Sequence, residues 1–261
     1  MKPLTPFLRQ RPSAAGILGN IKPQISMPRL IPAATVLLAL LAGCAAPPSG
    51  PRIDNVPMYG QPNIPRPDFM KQADADFIAK ASSGFGGDRK AASRAWAEQG
   101  ASYLAERNLD YAMRRYNQAW LLDETNYAVY WGFGRVMVEA SHFEDGVKFT
   151  KQAAGLCHDA FQLPAVYSDL GVAYSYLAHS LPPDRAAERA ATFASANEAF
   201  ARSVELDPKY GNAWRRWSMS LVMERKYPEA AEKANRAKEL GAPPIPPAIL
   251  QEIEDATGAG K

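Results

Sequence analysis

The sequence predicts an all-α protein, a solenoid of about four helix-turn-helix units, and three observations lead to this prediction. First, a four-residue signature recurs: an aromatic residue, a hydrophobic residue three positions on, a small residue beside it and a large apolar residue three positions further, which marks one stripe of a helix. Second, each copy is followed by another apolar stripe at helical spacing. Third, the small residues recur at intervals of 34, 37 and 47 positions; they are Gly100, Gly134, Gly171 and Ser218.

Before these units, the chain opens with the pattern of an exported protein. An apolar run from Ala33 to Ala42 follows Arg29, and it is too short to cross a bilayer, which takes about 20 residues. A positive residue followed by a short apolar run is typical of a secretory signal. We therefore predict a signal peptide over residues 1–43. Its start is either Met1 or Met27, and the second would give a leader of ordinary length.

The end of this run, Leu41-Ala42-Gly43-Cys44, resembles the lipobox of bacterial lipoproteins. The resemblance implies a diacylglycerol on the Cys44 thiol, cleavage before Cys44, and an N-acyl chain such as palmitate on the freed amine. Because residue 45 is Ala rather than Asp, it also implies the periplasmic side of the outer membrane. The other interpretation, a buried helix ending in a core cysteine, does not explain Arg29 and the lipobox together. No other cofactor is expected.

Charge argues against a nucleic-acid partner once the leader is removed. The formal charge of +3 includes five basic leader residues and no acidic ones, so that the mature chain carries 25 basic and 27 acidic residues, a net charge of −2. Nucleic-acid binding needs a basic surface. The mature chain is long enough for one sizeable domain.

We predict that the segment 44–67 is a tether. It carries seven prolines and almost no apolar periodicity, and such a segment does not bury enough surface to offset the entropy of ordering it. Residues 68–92 predict an N-terminal helical segment, with one helix from Asp68 to Ala81 and a glycine cluster after it. That cluster lacks the Lys-Ser/Thr pair of a phosphate loop, so we interpret it as a hinge.

Residues 93–242 contain the four units. The signatures are Trp96, Gln99, Gly100 and Tyr103; Tyr130, Phe133, Gly134 and Met137; Tyr167, Leu170, Gly171 and Tyr174; and Trp214, Trp217, Ser218 and Leu221, with Gln99 departing from the pattern. These motifs resemble the tetratricopeptide repeat (TPR), whose period is 34 residues. The longer intervals after Gly134 and Gly171 depart from that period and require an insertion in the third unit.

The insertion predicts an elongated hairpin. Leu181-Pro182-Pro183 ends the first helix of the third unit, and Asp184 is predicted to cap a long second helix that reaches Leu206. The hairpin is either a partner contact or a tolerated lengthening, and the second is slightly favoured because insertions usually fall in permissive loops. Residues 243–261 predict a Pro-rich tail with a short helix from Ala248 to Ala256 that covers the last unit.

No catalytic constellation is found in the sequence. The three histidines are spread over different units, and the one local cluster, Cys157-His158-Asp159, places adjacent side chains in different directions. Cys157 is interpreted as a core cysteine. We therefore predict that the protein is not an enzyme and holds no metal.

Solenoids usually bind partners on the concave surface that their first helices line. The candidate protein-binding residues on this face are Trp131, Arg135, Ser168, Tyr176, Arg215 and Met219. An aromatic residue and two arginines suit a peptide with apolar anchors and an acidic group or C-terminal carboxylate. Each of these residues could instead be an ordinary half-exposed residue of a solenoid.

Together these features predict a membrane-anchored scaffold that binds a protein or peptide partner in the cell envelope and is monomeric alone. The layout is similar to that of repeat lipoproteins that serve pilus secretins or outer-membrane protein assembly. This resemblance implies a role in assembling a pilus, secretion or outer-membrane complex. The alternative is a structural lipoprotein that self-assembles and has no peptide groove.

Overall fold

The computed structural model describes residues 52–258, and the signal peptide, the alternative start at Met27 and the lipidated Cys44 lie outside this range. In residues 52–258 all regular secondary structure is helical, so the predicted all-α fold is confirmed. No helix in this range has both the length and the apolar character needed to cross a bilayer. The α-helices are α1 (Asp68–Ser83), α2 (Arg89–Ala105), α3 (Leu109–Leu122), α4 (Tyr127–Glu139), α5 (Phe143–Leu156), α6 (Leu163–Ser180), α7 (Ala186–Leu206), α8 (Gly211–Met223), α9 (Tyr227–Glu239) and α10 (Pro247–Thr257).

The four predicted units are the helix pairs α2/α3, α4/α5, α6/α7 and α8/α9, each packed as a hairpin. The first helices also contact one another in order, α2 with α4, α4 with α6, and α6 with α8. These four helices therefore line one continuous surface, which we call the concave surface. The second helix of each pair packs against the first helix of the following pair.

Two of the four small signature residues let a ring from the paired helix approach closely. A Cβ on Gly171 would lie 2.8 Å from the Phe200 ring, and one on Gly100 would lie 2.9 Å from the Tyr116 ring. Tyr116 also fills the space beside Gly132, where a Cβ would come within 2.1 Å of it. One tyrosine of α3 is thus wedged against two first helices, which ties the first unit to the second.

Three hairpin turns use the same C-terminal cap. Arg107, Ser141 and Arg225 adopt positive φ values of 62°, 65° and 64°. At each turn the next amide donates to a carbonyl five residues back, as in His142 N to Met137 O at 2.8 Å, which is the Schellman arrangement. The third unit lacks this cap because its hairpin is longer. There α6 ends at Ser180, and a 3-10 turn over Pro183–Arg185 leads into α7.

The predicted cap of the long helix was placed wrongly. Asp184 lies inside the 3-10 turn, and α7 starts after Arg185 without a side-chain cap. Instead, a residue within α7 stabilises the turn: Arg189 Nη2 donates to the carbonyl of Leu181 at 2.6 Å. Leu181 itself is buried, so the elongated hairpin is packed rather than loose.

The tether prediction is wrong for residues 53–66, which we call the strap. They form two 3-10 turns, Ile53–Asn55 and Pro57–Gly60, and pack on α3. Met58 and Tyr59 join the core cluster of the first two units. Apolar periodicity does not detect such a segment, because an irregular chain places its apolar residues without a fixed period.

Both ends of the solenoid are covered. At the start, Phe77, Ile78 and Ala81 of α1 pack with Ala92 and Leu122. The solenoid begins at Arg89 rather than at the predicted residue 93, because the Asp88 side chain accepts the N–H of Ala91 and caps α2 there. At the other end, α10 packs on α8 and α9 with Ile253 buried.

Candidate peptide-binding surface

One carboxylate on the concave surface joins three first helices. Asp169 of α6 accepts a hydrogen bond from Trp131 Nε1 of α4 at 2.7 Å and one from Arg216 Nη1 of α8 at 2.7 Å. Arg135 Nε of α4 lies 3.7 Å from the same carboxylate. We call Trp131, Arg135, Asp169 and Arg216 the Asp169 cluster.

The Asp169 cluster has one more positive charge than negative. The Arg216 side chain is 20% exposed and that of Asp169 is 14% exposed, whereas that of Arg135 is 35% exposed. Burial lowers the pKa of Arg216, but the Asp169 carboxylate and Tyr210 outweigh that effect, so the pKa is raised overall. Arg216 is therefore firmly paired, and Arg135 is the more available guanidinium.

A cavity of about 260 Å³ adjoins this cluster between α2 and α4. Trp131 and Arg135 lie on its side toward α6, and Tyr116 and Gly132 contribute the part nearest the core. The remaining lining residues are Arg94, Ala97, Glu98, Ala101, Asn126, Tyr127 and Ala128. Its walls combine small apolar and aromatic groups with a few charged ones, a composition typical of sites that hold a side chain and orient it.

The structure brings together two of the six predicted binding residues, Trp131 and Arg135. The other four are buried: Ser168 is 0% exposed, Tyr176 3%, Arg215 7% and Met219 1%. Of these, Ser168 touches the Asp169 cluster, because its Oγ accepts a hydrogen bond from Arg216 Nη1 at 3.2 Å. All four are buried because the face that carries them packs against neighbouring elements. Tyr176 stacks on Phe143 at 5.7 Å, and Met219 belongs to the core cluster of the last two units.

Arg215 is covered by the C-terminal tail. Its Nε donates to the carbonyl of Pro244 at 3.2 Å, and burial lowers its pKa, with the neighbouring Arg216 adding to the effect. Arg215 therefore holds the tail in place and has no access to a ligand in the concave surface.

Asp169 and Arg216 were missed, although the sequence carries a signal for both. Each lies two positions after its signature aromatic, Tyr167 or Trp214, so they occupy equivalent positions of consecutive units. Residues of opposite charge at equivalent positions of adjacent first helices are close enough to pair. The predicted residues Ser168 and Arg215 stand one position earlier and are buried, whereas Trp131, at the equivalent position of the second unit, reaches the Asp169 cluster.

Cys157 lies in the core, as its interpretation required. It belongs to the cluster of the first two units, burial raises the pKa of its thiol, and the Sγ contacts the carbonyl of Asp159 at 3.7 Å. A raised pKa is the opposite of what an activated thiolate needs. Across residues 52–258 there is no group of three His, Cys, Asp or Glu side chains placed to hold a metal ion.

Comparison with known proteins identifies the fold. No protein-family model and no curated protein sequence matches the chain. Among solved structures, it resembles TTC0263, a thermophilic TPR protein of Thermus thermophilus, with a TM-score of 0.54 at 13% identity over 64% of this chain and 82% of that chain. At this identity the likeness shows the fold alone, and the chain has the TPR fold.

Two further structures are more distant. MamA gives a TM-score of 0.44 at 15% identity, over 68% of this chain and 96% of that one. PilF of Pseudomonas aeruginosa gives 0.45 at 16% identity, over 72% of this chain and 89% of that one. Scores this low do not bear on function.

Proposed function

We propose that this TPR protein is an envelope scaffold, anchored to the membrane through lipidated Cys44, that binds an acidic and partly apolar peptide segment of another protein. The observation that supports it most is the placement of Arg135. This guanidinium lies between a small, partly apolar cavity and a carboxylate that is already bonded to Trp131 and Arg216.

The chemistry of the site selects the ligand class. The Arg135 guanidinium is 6.0 Å from the centre of the Trp131 ring, and its contact with Asp169 is too long for a hydrogen bond, at 3.7 Å. An incoming carboxylate would therefore meet a guanidinium with unused donors, and such charge-assisted bonds contribute about 1.5–3 kcal/mol each. An apolar side chain on the same peptide would fill the cavity between α2 and α4.

The membrane anchor belongs to the same proposal. The lipobox sequence and the residue after it support diacylglycerol and N-acyl chains on Cys44 and a place on the periplasmic side of the outer membrane. Two or more acyl chains hold a protein stably where one would not. In that compartment the partner is a protein of the cell envelope, and assembly of a pilus, secretion or outer-membrane complex is the role we propose.

The groove is tested by site-specific photocrosslinking in cells, with the crosslinking amino acid at Ala128 on the cavity wall. We expect a crosslinked envelope protein that disappears when Arg135→Glu is added, since a glutamate would repel an acidic segment. Arg202→Glu is the matched control, because Arg202 lies on α7 and its ion pair with Glu205 is exposed. The crosslink should persist in that variant.

A synthetic peptide covering the crosslinked segment then tests the ligand class. We expect it to bind the purified protein, and we expect replacement of its acidic residues by amides to weaken binding at least tenfold. An amide peptide that binds equally well would contradict the acidic-ligand assignment. Crosslinks to a second copy of the chain alone would replace the scaffold by the self-assembling alternative.

The anchor is tested separately, by the mass of the N-terminal peptide and by membrane fractionation. We expect the mature chain to begin at Cys44, to carry acyl chains and to separate with the outer membrane. A Cys44→Ser variant should be released from the membrane fraction.

A further inference from the structure

The strap is fixed to α3 through its backbone. Asn117, which is 0% exposed, donates from Nδ2 to the carbonyls of Asp54 and Val56, both at 2.9 Å. One buried amide therefore holds two successive turns of the strap against the helix. Such contacts fix the path of the chain and are independent of its side chains.

Side chains fix the strap at two more places. Arg114 of α3 pairs with Asp54 at 3.1 Å and donates to Asn55 at 3.3 Å. At the far end, Arg66 pairs with Asp74 of α1 and lies over the Tyr59 ring at 4.2 Å. The strap thus connects the start of α1 to the outer side of α3.

Exposed apolar side chains occur on the strap and at the starts of the two helices that it joins. Of the six large hydrophobic side chains that are exposed within residues 52–258, three lie there; they are Ile64, Phe69 and Tyr111. Phe69 is 70% exposed at the start of α1, and Tyr111 is 47% exposed beside Arg114, whose guanidinium is 5.2 Å from its ring. Aromatic rings next to arginine are typical of the headgroup level of a membrane.

Docking of the strap shortens the free chain between the folded part and the proposed anchor at Cys44. Arg52 is eight positions after Cys44, and eight steps along the chain extend to about 29 Å at most. Undocked, the free chain would instead run from Cys44 to the start of α1 at Asp68, three times as many residues.

We propose that the corner formed by the strap, the start of α1 and the start of α3 rests on the surface of the lipid bilayer that holds the acyl chains of Cys44. The inference depends on the anchor proposed above. Phe69 and Tyr111 contact the headgroup region, and Arg52, whose side chain is 70% exposed beside its ion-pair partner Asp54, lies toward lipid phosphate. The opposite end of the solenoid, with α8 to α10, points away from this surface.

The test uses the mature lipoprotein reconstituted in vesicles of phosphatidylethanolamine and phosphatidylglycerol at 3:1. A nitroxide spin label is attached at Phe69→Cys, at Tyr111→Cys or, as control, at Phe161→Cys, which replaces a side chain 94% exposed on the α5–α6 loop. The native Cys157 is buried and is left in place. Accessibility of each label to oxygen and to a water-soluble nickel complex reports its depth.

We expect the labels at 69 and 111 to favour oxygen over the nickel complex by at least threefold relative to the label at 161. Labels at 69 and 111 that match 161, on protein that floats with the vesicles, would overturn the membrane contact and leave the anchor intact. Protein that carries no acyl chains and does not float would instead refute the anchor, and with it the premise of this inference.

A second variant tests the strap itself. Arg114→Gln with Asp54→Asn removes the ion pair at its start while leaving the buried Asn117 in place, so the solenoid should still fold. We expect faster protease cleavage within residues 53–66 and loss of the depth difference at 69 and 111, with flotation unchanged. A strap that is cleaved faster while both labels keep their depth would overturn its role in holding this corner at the bilayer.

Discussion

At the scale of single residues, Asp169 shows how one acidic side chain organises a surface made of separate repeats. It lies on α6 and accepts donors from α4 and α8, so three units share one carboxylate. The TPR pattern specifies contacts between a unit and its neighbour. A polar contact that spans three units is additional to that pattern and fixes the relative positions of the first helices.

Asp169→Ala is therefore expected to reduce both stability and order on the concave surface. Arg216 would lose its counter-charge while largely buried, and Trp131 Nε1 would lose its acceptor. We expect the free energy of unfolding to fall by about 2 kcal/mol, the range for lost hydrogen bonds to a charged group. Urea unfolding followed by circular dichroism measures this. Asp184→Ala, an exposed aspartate in the 3-10 turn, is the control, and an equal loss there would contradict the assignment.

Tyr59 gives the strap a dependence on pH. Burial, with Asp74 adding to it and Arg66 opposing it, raises the pKa of Tyr59 from 10 to about 12. Because the folded pKa lies above the unfolded one, the docked tyrosine contributes stability that is complete below pH 10 and lost as the pH rises through 12. The strap should therefore loosen between pH 10 and 12.

A pH titration followed by tyrosinate absorbance at 295 nm checks this, and the Tyr59→Phe variant lacks the ionisation of this residue. Tyr116 and Tyr127 also have pKa values raised to about 12, so the difference between the two proteins is the informative quantity. The variant Arg114→Gln with Asp54→Asn should move the transition of Tyr59 toward 10. A Tyr59 that already titrates near 10 in the unaltered protein would show that the strap is not docked in solution.

At the scale of elements, a hairpin turn holds one residue in a backbone conformation that lowers the stability of the fold. Ser141 has φ of 65°, a conformation that costs an L-residue about 1–2 kcal/mol and glycine little. Glycine loses more backbone entropy on folding, about 0.5–1 kcal/mol, which offsets part of the gain. We expect Ser141→Gly to stabilise the protein by up to about 1 kcal/mol.

Thermal unfolding measures that change, and the preceding residue supplies the control. Ala140 has φ of −80°, so Ala140→Gly gains nothing from relieved strain and should destabilise by about 0.5–1 kcal/mol. If both glycines destabilise equally, the left-handed turn is not a source of strain.

The elements differ in how well the sequence predicts them. The four hairpins were predictable because each buries one stripe of a helix, and a stripe leaves a period in the sequence. The strap was not, since its anchors are the amide of Asn117 and the ion pair of Arg114, which lie more than fifty residues away along the chain.

In the candidate site, Trp131 and Arg135 were predictable on α4. On α6 and α8 the predicted face was displaced by one residue, because the rotation of a helix about its axis depends on packing that the repeat signature does not specify.

At the scale of the whole molecule, the covered ends are expected to prevent the solenoid from stacking on other copies of itself. Ile253 of α10 is 4% exposed and packs beside Leu221 and Val222 of the last unit. Ile253→Asp would place a charge in this contact and release the helix. We expect sedimentation to show a monomer for the unaltered protein and a mass that increases with concentration for the variant.

Ala248→Asp, at an exposed position near the start of α10, is the control and should remain monomeric. A variant at Ile253 that stays monomeric, with α10 open to protease, would show that the covered surface does not drive association. An unaltered protein that already self-associates would favour the structural alternative to a scaffold.

The two covered ends also restrict how such a protein can evolve. Tandem duplication lengthens repeat proteins, but a copy added before α2 would separate it from α1, and one added after α9 would separate it from α10. New units can therefore enter this chain without loss of a cap only between existing ones. Each junction between units is itself bridged, the first by Tyr116 and the other two by the Asp169 cluster, so an added unit would break one of these contacts, and we expect related proteins of this architecture to keep the same number of units.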